Sequence, residues 1–95
     1  MPDNRERDAF EYATRLCEEL PHFLHDCREG AHLSRYALQK SCGVSRDMLG
    51  NVEHGQSVPT LFVLARIAYG NRMTLTEFVR QLESRCSAPQ KETVE

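Results

Sequence analysis

Two copies of one helix-start pattern, set on either side of a glycine, constrain this chain more than any other sequence feature. Ser34 and Ser45 are strong helix N-caps, because a serine hydroxyl accepts a hydrogen bond from a backbone N–H one turn later. Gly43 stands between them, where a sharp turn favours a residue that tolerates positive φ. Each serine is framed by an apolar pair at the spacing of a hydrophobic staple, Leu33 with Leu38 and Val44 with Leu49. Two short helices joined by such a turn, with their apolar residues inward, predict a helix-turn-helix over residues 33–55.

This stretch resembles the helix-turn-helix of the Cro and phage-repressor (XRE-like) family of DNA-binding transcriptional regulators. The family pattern is Leu-Ser, Leu-Ala four residues on, Gly-Val-Ser, two aliphatics, Glu-x-Gly, and a proline that opens the next helix. The matching places here are Leu33-Ser34, Leu38-Gln39, Gly43-Val44-Ser45, Leu49, Val52, Glu53-His54-Gly55 and Pro59-Thr60, then Leu61, Leu64, Ala68, Met73, Leu75 and Phe78, with Arg28 at a frequent arginine position. The resemblance covers residues 21–82 and implies an all-α, phage-repressor-like bundle of five or six helices.

Three places depart from the family pattern. Gln39 replaces a favoured alanine where the two motif helices come closest, so its long amide should point outward or widen the helix crossing. Asn71 and Arg72 replace an aliphatic residue followed by glycine, which predicts a different turn before the last helix. His54 takes a place that often carries arginine or lysine, and so removes a permanent positive charge near the DNA phosphates.

Ahead of the family-like region, apolar residues at helical spacing predict an additional helix within residues 1–20. Its stripe either packs on the core or closes a homodimer, and the apolar face of the last helix is the alternative dimer surface. Pro21 should begin or kink the next element, since proline suits a first helical turn and not a helix interior. The stripe on the additional helix is Phe10, Ala13, Leu16 or Cys17, and Leu20, and the one on the last helix is Phe78, Val79 and Leu82.

Residues 21–85 form the predicted helix-turn-helix domain, which continues with two helices after the motif. Thr60 should cap a helix over residues 61–69, and Gly70-Asn71 should supply a left-handed stop. Thr74 and Glu77 form a capping box for a last helix over residues 74–83. Residues 86–95 are polar, so we expect a disordered tail. The inward positions of the helix after Thr60 are predicted to be Leu61, Leu64, Ala65 and Ala68.

The formal charge of the 95 residues is −2, which is low for a DNA-binding protein, but the acidity is unevenly distributed. Residues 1–30 carry four basic and eight acidic side chains, residues 31–58 carry three and two, and residues 59–95 carry five and four. The acidic segment therefore precedes the motif, where it can point away from DNA or contact a partner. This balance predicts weak nonspecific binding, which depends on phosphate neutralisation.

The outward, N-terminal face of the second motif helix carries the residues that can reach base edges in a major groove. Arginine can hold guanine O6 and N7 in a fork, asparagine can pair with adenine N6 and N7, and aspartate can accept from cytosine N4. We therefore predict base contacts by Arg46, Asp47, Gly50 and Asn51 and backbone contacts by Ser34, Arg35, Ser45, His54, Gln56 and Ser57. Arg35 matches a family position that usually holds a phosphate-contacting glutamine. Without the resemblance, the same residues are typical of a solvated helix face.

The sequence offers little that is typical of an enzyme. No nucleophile–base pair, phosphate loop or paired acid site is recognisable, so we expect no catalysis and no cofactor. Cys27 does not share the helix face of His22 and His25, so no metal site is predicted. Glu53 is expected to be structural and Cys42 to be a buried, inert thiol. The charged N-terminus and the short apolar runs predict a cytoplasmic protein, bacterial or phage-encoded, with reduced thiols.

Two functions from different classes fit these features. The first is a sequence-specific, double-stranded DNA-binding transcriptional regulator, by resemblance a repressor, that acts as a homodimer on a near-palindromic operator with helix 45–54 in the major groove. The second is a protein-interaction or antitoxin-like module that keeps the fold and binds a partner through its acidic N-terminal helix, residues 1–20. The acidity of the whole chain favours the second, whereas Arg35, Arg46 and Asn51 favour the first.

Overall fold

Five α-helices make up the part of the chain that the computed structural model describes, which is residues 4–94 for the backbone and residues 4–86 for the side chains. In chain order they are α1 (Asn4–Gly30), α2 (Arg35–Cys42), α3 (Arg46–Glu53), α4 (Leu61–Gly70) and α5 (Leu75–Val94). The predicted all-α bundle is confirmed, and α2 and α3 are its two motif helices. None of the described helices combines the length and the apolar character that crossing a bilayer demands.

Helix α1 continues without a break through Pro21, where the sequence predicted a new element or a kink. Proline lacks the N–H that would bond to the carbonyl of Cys17, so one helical hydrogen bond is missing at this point of α1. Leu20 and Leu24 are buried on either side of the proline and hold both halves of α1 to one core. The helix predicted within residues 1–20 is present in its described part, residues 4–20, but its predicted end before Pro21 is wrong, because these residues are the N-terminal half of α1.

The N-terminal half of α1 is largely exposed. Of its predicted apolar stripe, Leu20 is buried and Leu16 is half-buried. Phe10, Ala13 and Cys17 are exposed, and the exposed fraction of Phe10 reaches 71%. The stripe therefore joins the core only at its C-terminal end. The rest of it is exposed and could pack against another molecule.

The core lies where the C-terminal half of α1 meets the other helices. Phe23 of α1 and Phe78 of α5 meet edge to face, with ring centroids 4.9 Å apart and an interplanar angle of 65°. Because Phe78 and Leu82 are buried within the monomer, the last helix cannot offer them as a dimer surface, and this alternative is wrong. The buried apolar residues are Leu20, Phe23, Leu24, Leu38, Cys42, Val44, Leu49, Val52, Ile67, Ala68, Phe78, Leu82 and Cys86.

Helix α4 packs on the core through most of its predicted inward positions, with Leu61 as the exception. Leu61, predicted to point inward, is 70% exposed. Ala68 is fully buried as predicted, Leu64 and Ala65 are half-buried, and Ile67, which was not predicted to face inward, is also fully buried. The C-terminal half of the helix therefore packs, and its first turn projects into solvent.

Helix α5 extends beyond its predicted end at residue 83 and packs along α1. Arg85 forms ion pairs across this contact with Glu19 at 2.8 Å and with Asp26 at 3.1 Å. Cys86 is buried against α1, so the packed domain reaches beyond the predicted limit at residue 85. The bounds of α5 include residues 87–94, but the side chains of residues 87–95 lie outside the described part of the chain. The predicted disorder of that segment stays a prediction.

The four predicted helix caps after α1 are confirmed. Ser34 and Ser45 each accept a hydrogen bond from the N–H three residues later, at 3.0 and 3.1 Å, and Thr60 does so at 3.2 Å. Thr74 accepts from the N–H of Glu77 at 3.2 Å while the Glu77 carboxylate accepts from the N–H of Thr74 at 3.0 Å, which is a complete capping box. Each cap satisfies an N–H that the helix leaves unpaired and contributes about 1 kcal/mol.

A residue in the left-handed backbone conformation follows several of the helices. After α4 this residue is not the one that was predicted. Gly43 and Gly55 have φ of 79° and 75°, as their places in the motif require. Helix α4 ends at Gly70 as predicted, but the predicted left-handed conformation at Gly70-Asn71 is wrong, because Asn71 has φ −91° and Arg72 takes the left-handed conformation with φ 67°. The N–H of Arg72 and the N–H of the next residue bond back to the last turn of α4, which stabilises the strained residue.

Gly70 is needed for close helix packing and not for a turn. A Cβ atom at this position would lie 2.7 Å from Cβ of Cys42 and 3.0 Å from both Leu38 Cδ1 and Ser41 Oγ. The Ser41 hydroxyl donates to the Gly70 carbonyl at 3.2 Å. Helix α2 therefore docks directly on the backbone at the end of α4, which fixes the first motif helix to the core.

Gly70→Ala should lower the free energy of unfolding by about 1–3 kcal/mol, because the added methyl group overpacks the α2–α4 contact. Gly50→Ala is the matched control. A Cβ there meets nothing within 4 Å, so alanine should raise stability by about 0.5–1 kcal/mol through its better helix propensity. Urea unfolding of the two variants measures both effects. Equal stability of Gly70→Ala and the wild type would contradict the packing role.

Candidate nucleic-acid interface

One glycine and one arginine fix the turn between α2 and α3. The N–H of Gly43 bonds to a carbonyl in the last turn of α2 at 2.7 Å. Arg66 of α4 donates from Nε to the carbonyl of Cys42 at 3.1 Å, and its guanidinium lies over the ring of Phe62, 5.2 Å from the centroid. A Cβ atom on Gly43 would collide with that guanidinium. The positive φ therefore favours glycine here, and a side chain would in addition displace the flexible end of Arg66.

Helix α3 buries one face and presents the other to solvent. Leu49 and Val52 are fully buried, which leaves the opposite face of this short helix pointing outward. An open groove beside that face is lined by all four predicted base-contacting residues, Arg46, Asp47, Gly50 and Asn51. The residues of the first turn are exposed and those of the second are half-buried. The structure thus brings the four together, and their contact with DNA stays a prediction.

The predicted backbone contacts divide into two groups. Ser34, Arg35 and His54 line the groove together with Arg28 and Tyr36. The hydroxyls of Ser34 and Ser45 accept backbone N–H bonds at their helix starts, which leaves each hydroxyl proton for another acceptor, such as a phosphate oxygen. Ser45, Gln56 and Ser57 do not line the groove.

The C-terminal residue of α3, Glu53, is a buried carboxylate where three helices meet. Its side chain is 1% exposed and accepts two hydrogen bonds from Arg28 of α1, from Nε at 2.6 Å and from Nη2 at 3.1 Å. Arg28 also donates from Nη1 to the carbonyl of Leu33 at 2.7 Å. Because this fork pairs both carboxylate oxygens, it ties α3 to α1 and to the segment that precedes α2.

Opposing effects act on the pKa of Glu53. Burial raises the pKa of this carboxyl group, but the hydrogen bonds and charge of Arg28, assisted by His25 and Arg35, outweigh burial, and the net shift is downward. In return, the hydrogen bond to Glu53 raises the pKa of Arg28 against the opposing effect of burial. Both groups are therefore charged in the folded protein at neutral pH.

Arg35 shares the same carboxylate, which its sequence position did not reveal. Its Nε donates to Oε1 of Glu53 at 3.3 Å, and its side chain is half-buried. The remaining N–H groups of the guanidinium can still reach a phosphate. The charge of Glu53 partly offsets that of Arg35, so Arg35 attracts phosphate less strongly than an isolated arginine would.

His25 also faces carboxylates. Its ring nitrogens lie 3.5 Å from Glu53 and 3.3 Å from Glu29. Among the described residues, no three histidine, cysteine or acidic side chains are grouped so that they could hold a metal ion. The role that the structure gives His25 is a polar contact at the edge of the Arg28–Glu53 pair.

Sequence reasoning missed Tyr36 and Lys40. The Tyr36 ring lines the groove and has two cations near its centroid, Lys40 Nζ at 5.3 Å and Arg46 Cζ at 5.6 Å. The contact with Lys40 follows from i,i+4 spacing on α2, so a search for aromatic–cation pairs would have found it. The contact with Arg46 crosses the turn between α2 and α3, and spacing alone could not indicate it.

The four cysteines are free thiols. Cys42 is buried, as predicted, and its sulfur accepts the N–H of Val44 at 3.4 Å. Burial raises the pKa of the Cys27 thiol and of the Cys86 thiol, which lowers the fraction of reactive thiolate. Cys17 is exposed on α1.

Comparisons with known proteins point to one family. The family model HTH_3, described as "Helix-turn-helix", matches residues 24–78 of the chain. The chain is similar to a solved HTH_3 family transcriptional regulator from Vibrio cholerae, with 30% sequence identity and a TM-score of 0.66. The match covers 77% of this chain and 41% of that protein, so this chain spans less than half of the regulator's length. No curated protein matches the chain.

Glu53→Gln should lower the free energy of unfolding at pH 7 by about 3–5 kcal/mol, because it leaves Arg28 buried without a counter-charge. Since the folded-state pKa of Glu53 is lowered, its contribution is present above the unfolded pKa of about 4.3 and is lost as the pH falls through the folded-state value. As the pH falls from about 5 to about 2, the variant should therefore lose less stability than the wild type, because it lacks the carboxylate that becomes protonated.

Urea unfolding across this pH range measures the contribution of Glu53. Glu18→Gln, which removes an exposed carboxylate from α1, should leave both the stability and its acid dependence close to those of the wild type. An unchanged acid dependence in Glu53→Gln would show that the carboxylate of Glu53 does not couple folding to pH.

Proposed function

Because this chain belongs to the HTH_3 helix-turn-helix family, we propose that it is a sequence-specific, double-stranded DNA-binding transcriptional regulator that places α3 in the major groove. One observation supports this above all others. The outward face of α3 gathers Arg46, Asp47, Gly50 and Asn51 at a single open groove next to the N-terminus of α2. A recognition helix reads bases with its N-terminal residues, while the helix before it crosses the DNA backbone. Here α3 would take the first role and α2 the second.

Within this proposal, the contact residues divide into those that read bases and those that position the protein, and three of the second group, Ser45, Gln56 and Ser57, lie outside the groove. Arg46, exposed in the first turn of α3, takes guanine, and Asn51, one turn later, takes adenine. Asp47 accepts from cytosine, and Gly50 lets the backbone approach a base edge. The residues that contact the backbone are Ser34, Arg35, Ser45, His54, Gln56 and Ser57.

The charge around the groove supports DNA over a neutral ligand. Glu53 is already paired with Arg28, so its negative charge does not face the groove uncompensated. Arg46 and Lys40 add two cations at the rim, which outnumber the one exposed carboxylate among the described residues that line the groove, that of Asp47. Phosphate neutralisation then depends on few residues, and the affinity for nonspecific DNA should be modest.

We further propose that the protein is a homodimeric repressor that reads a near-palindromic operator, with its two-fold axis beside the N-terminal half of α1. The exposed Phe10, Ala13 and Cys17 form one apolar face of α1, and together with Val58 they border a shallow groove. A self-complementary apolar face suits a two-fold contact. Two recognition helices about 34 Å apart would then enter successive major grooves on one side of the duplex.

The second candidate function is a protein-interaction module that binds a partner through α1. The observation in its favour is the same exposed half of α1, where Phe10 stands among the exposed carboxylates of Glu6, Asp8 and Glu11. An apolar residue rimmed by charge is typical of an interaction site. The two functions differ in what the α3 face binds, so DNA binding separates them.

The base-reading proposal predicts different losses for different groove residues. The operator is first identified by capturing genomic DNA fragments on the protein and sequencing those that it retains. On that operator Arg46→Ala and Asn51→Ala should each cost about 1–3 kcal/mol of binding free energy, and much less on a scrambled duplex. Arg35→Ala should weaken both duplexes about equally and reduce the slope of log K against log salt by about 1.

Salt titrations of binding to the two duplexes provide the test. Arg80→Ala removes an exposed charge from α5, away from the groove, and should change neither affinity. If neither Arg35→Ala nor Arg46→Ala alters the affinity for any duplex, the α3 face does not bind DNA, and the partner-binding function takes its place.

The dimer proposal predicts that a charge on the apolar face of α1 separates the subunits. Phe10→Glu should convert a dimer into a monomer in light scattering at micromolar concentration, because the carboxylate would lose its hydration in the contact. Phe62→Glu, which changes an equally exposed aromatic residue on α4, should leave the dimer intact. A wild type that is monomeric both with and without operator DNA would contradict the dimer.

A further inference from the structure

We propose that Tyr36 is a positioning residue for base recognition, whose ring holds the guanidinium of Arg46 at the groove and keeps Lys40 beside it. The inference rests on the proposed function and extends it to two residues outside the predicted contact set. In this proposal, the Tyr36 ring determines how well Arg46 discriminates at one base position, and Lys40 contacts a neighbouring phosphate.

The Tyr36 side chain is not among the residues that form the hydrophobic core. Tyr36 lies in the first turn of α2 with 53% of its surface exposed, outside the core. The neighbours that hold α2 in place are Leu38 and Cys42, which are buried, and Ser41, which bonds to α4. The ring of Tyr36 lies at the edge of the groove, where it is available for contacts with other side chains.

Two cations share the Tyr36 ring. Lys40 Nζ lies 5.3 Å from the ring centroid, and Arg46 Cζ lies 5.6 Å from it. Both distances are within the range where the ring quadrupole attracts a cation. Because Lys40 belongs to α2 and Arg46 begins α3, the ring couples the two motif helices on the side that faces the proposed DNA.

The way in which Arg46 is held distinguishes it from the other arginines of the groove. Arg28 and Arg35 both give N–H groups to the carboxylate of Glu53. Among the residues that the structure describes, no carboxylate lies within ion-pairing distance of Arg46 or Lys40. An aromatic ring orients a guanidinium without using its in-plane donors, so the fork of Arg46 stays free for a base edge.

The chemistry of the two cations suggests separate targets. The planar fork of arginine matches guanine O6 and N7, whereas the lysine ammonium acts as a point charge suited to a phosphate oxygen. Two like charges held on one ring repel each other, and a nearby DNA strand relieves this repulsion. Holding Arg46 in one place before binding also reduces the side-chain entropy that base recognition would otherwise lose.

The experiment begins with a binding site selected by the full chain from a random duplex pool. Arg46→Ala then identifies the base position that Arg46 reads, as the position where discrimination is lost. Tyr36→Leu, which keeps bulk but removes the ring, should weaken binding roughly two- to five-fold and relax discrimination at that same position. Tyr36→Phe keeps the ring and should retain both affinity and discrimination. Combining Tyr36→Leu with Arg46→Ala should add no further loss of discrimination there.

Tyr69→Leu is the matched control, because Tyr69 is also exposed but lies on α4 outside the groove, and it should behave as the wild type. Thermal unfolding confirms that each variant folds. Wild-type discrimination in Tyr36→Leu, or an equal loss in Tyr36→Phe, would overturn the positioning role while leaving DNA binding in place. So would a uniform loss on all duplexes, which indicates a direct backbone contact. A wild type that selects no duplex would refute the proposed function itself.

Discussion

The paired charges of Glu53 and Arg28 hold the motif in place. A carboxylate buried among apolar helices is costly unless both oxygens are paired, and here the fork of Arg28 meets both of them. The eight-residue α3 is too short to be stable alone, so its position depends on its surroundings. The ion pair anchors its C-terminal end, which leaves the first turn, with Arg46, free to project into the groove.

The same pair determines how the positive charge of the groove is used. Arg28 is paired with the buried Glu53 and so stabilises the fold. Arg35 bonds to Glu53 with one N–H and keeps others exposed to solvent. Arg46 lies over the Tyr36 ring, and its N–H donors are available to a ligand. Three arginines of equal formal charge thus differ in what they can give to a ligand. The net charge of the chain hides this difference, because an acidic α1 outweighs a small cationic rim.

The first motif helix is held from the other side by close backbone contact. Gly70 lets α2 lie directly on the end of α4, and Gly43 makes room for Arg66 to bond to the last turn of α2. A side chain at position 70 would overlap Cys42, and one at position 43 would displace the end of the Arg66 side chain. The contacts between α2 and α4 therefore fix the position of the side chains that line the groove. A binding site on short helices needs such rigid support.

The sequence by itself determined where α2, α3, α4 and α5 begin, because caps, staples and turn glycines act within one turn of the chain. Ser34, Ser45 and Gly43 could be interpreted without any knowledge of the fold. Only the tertiary structure decided which residues meet across helices. The burial of Phe78, the unbroken course of α1 through Pro21 and the ring contact between Tyr36 and Arg46 all depend on packing between distant segments. Local spacing carries no information about such contacts, since they form only when separate helices share one core.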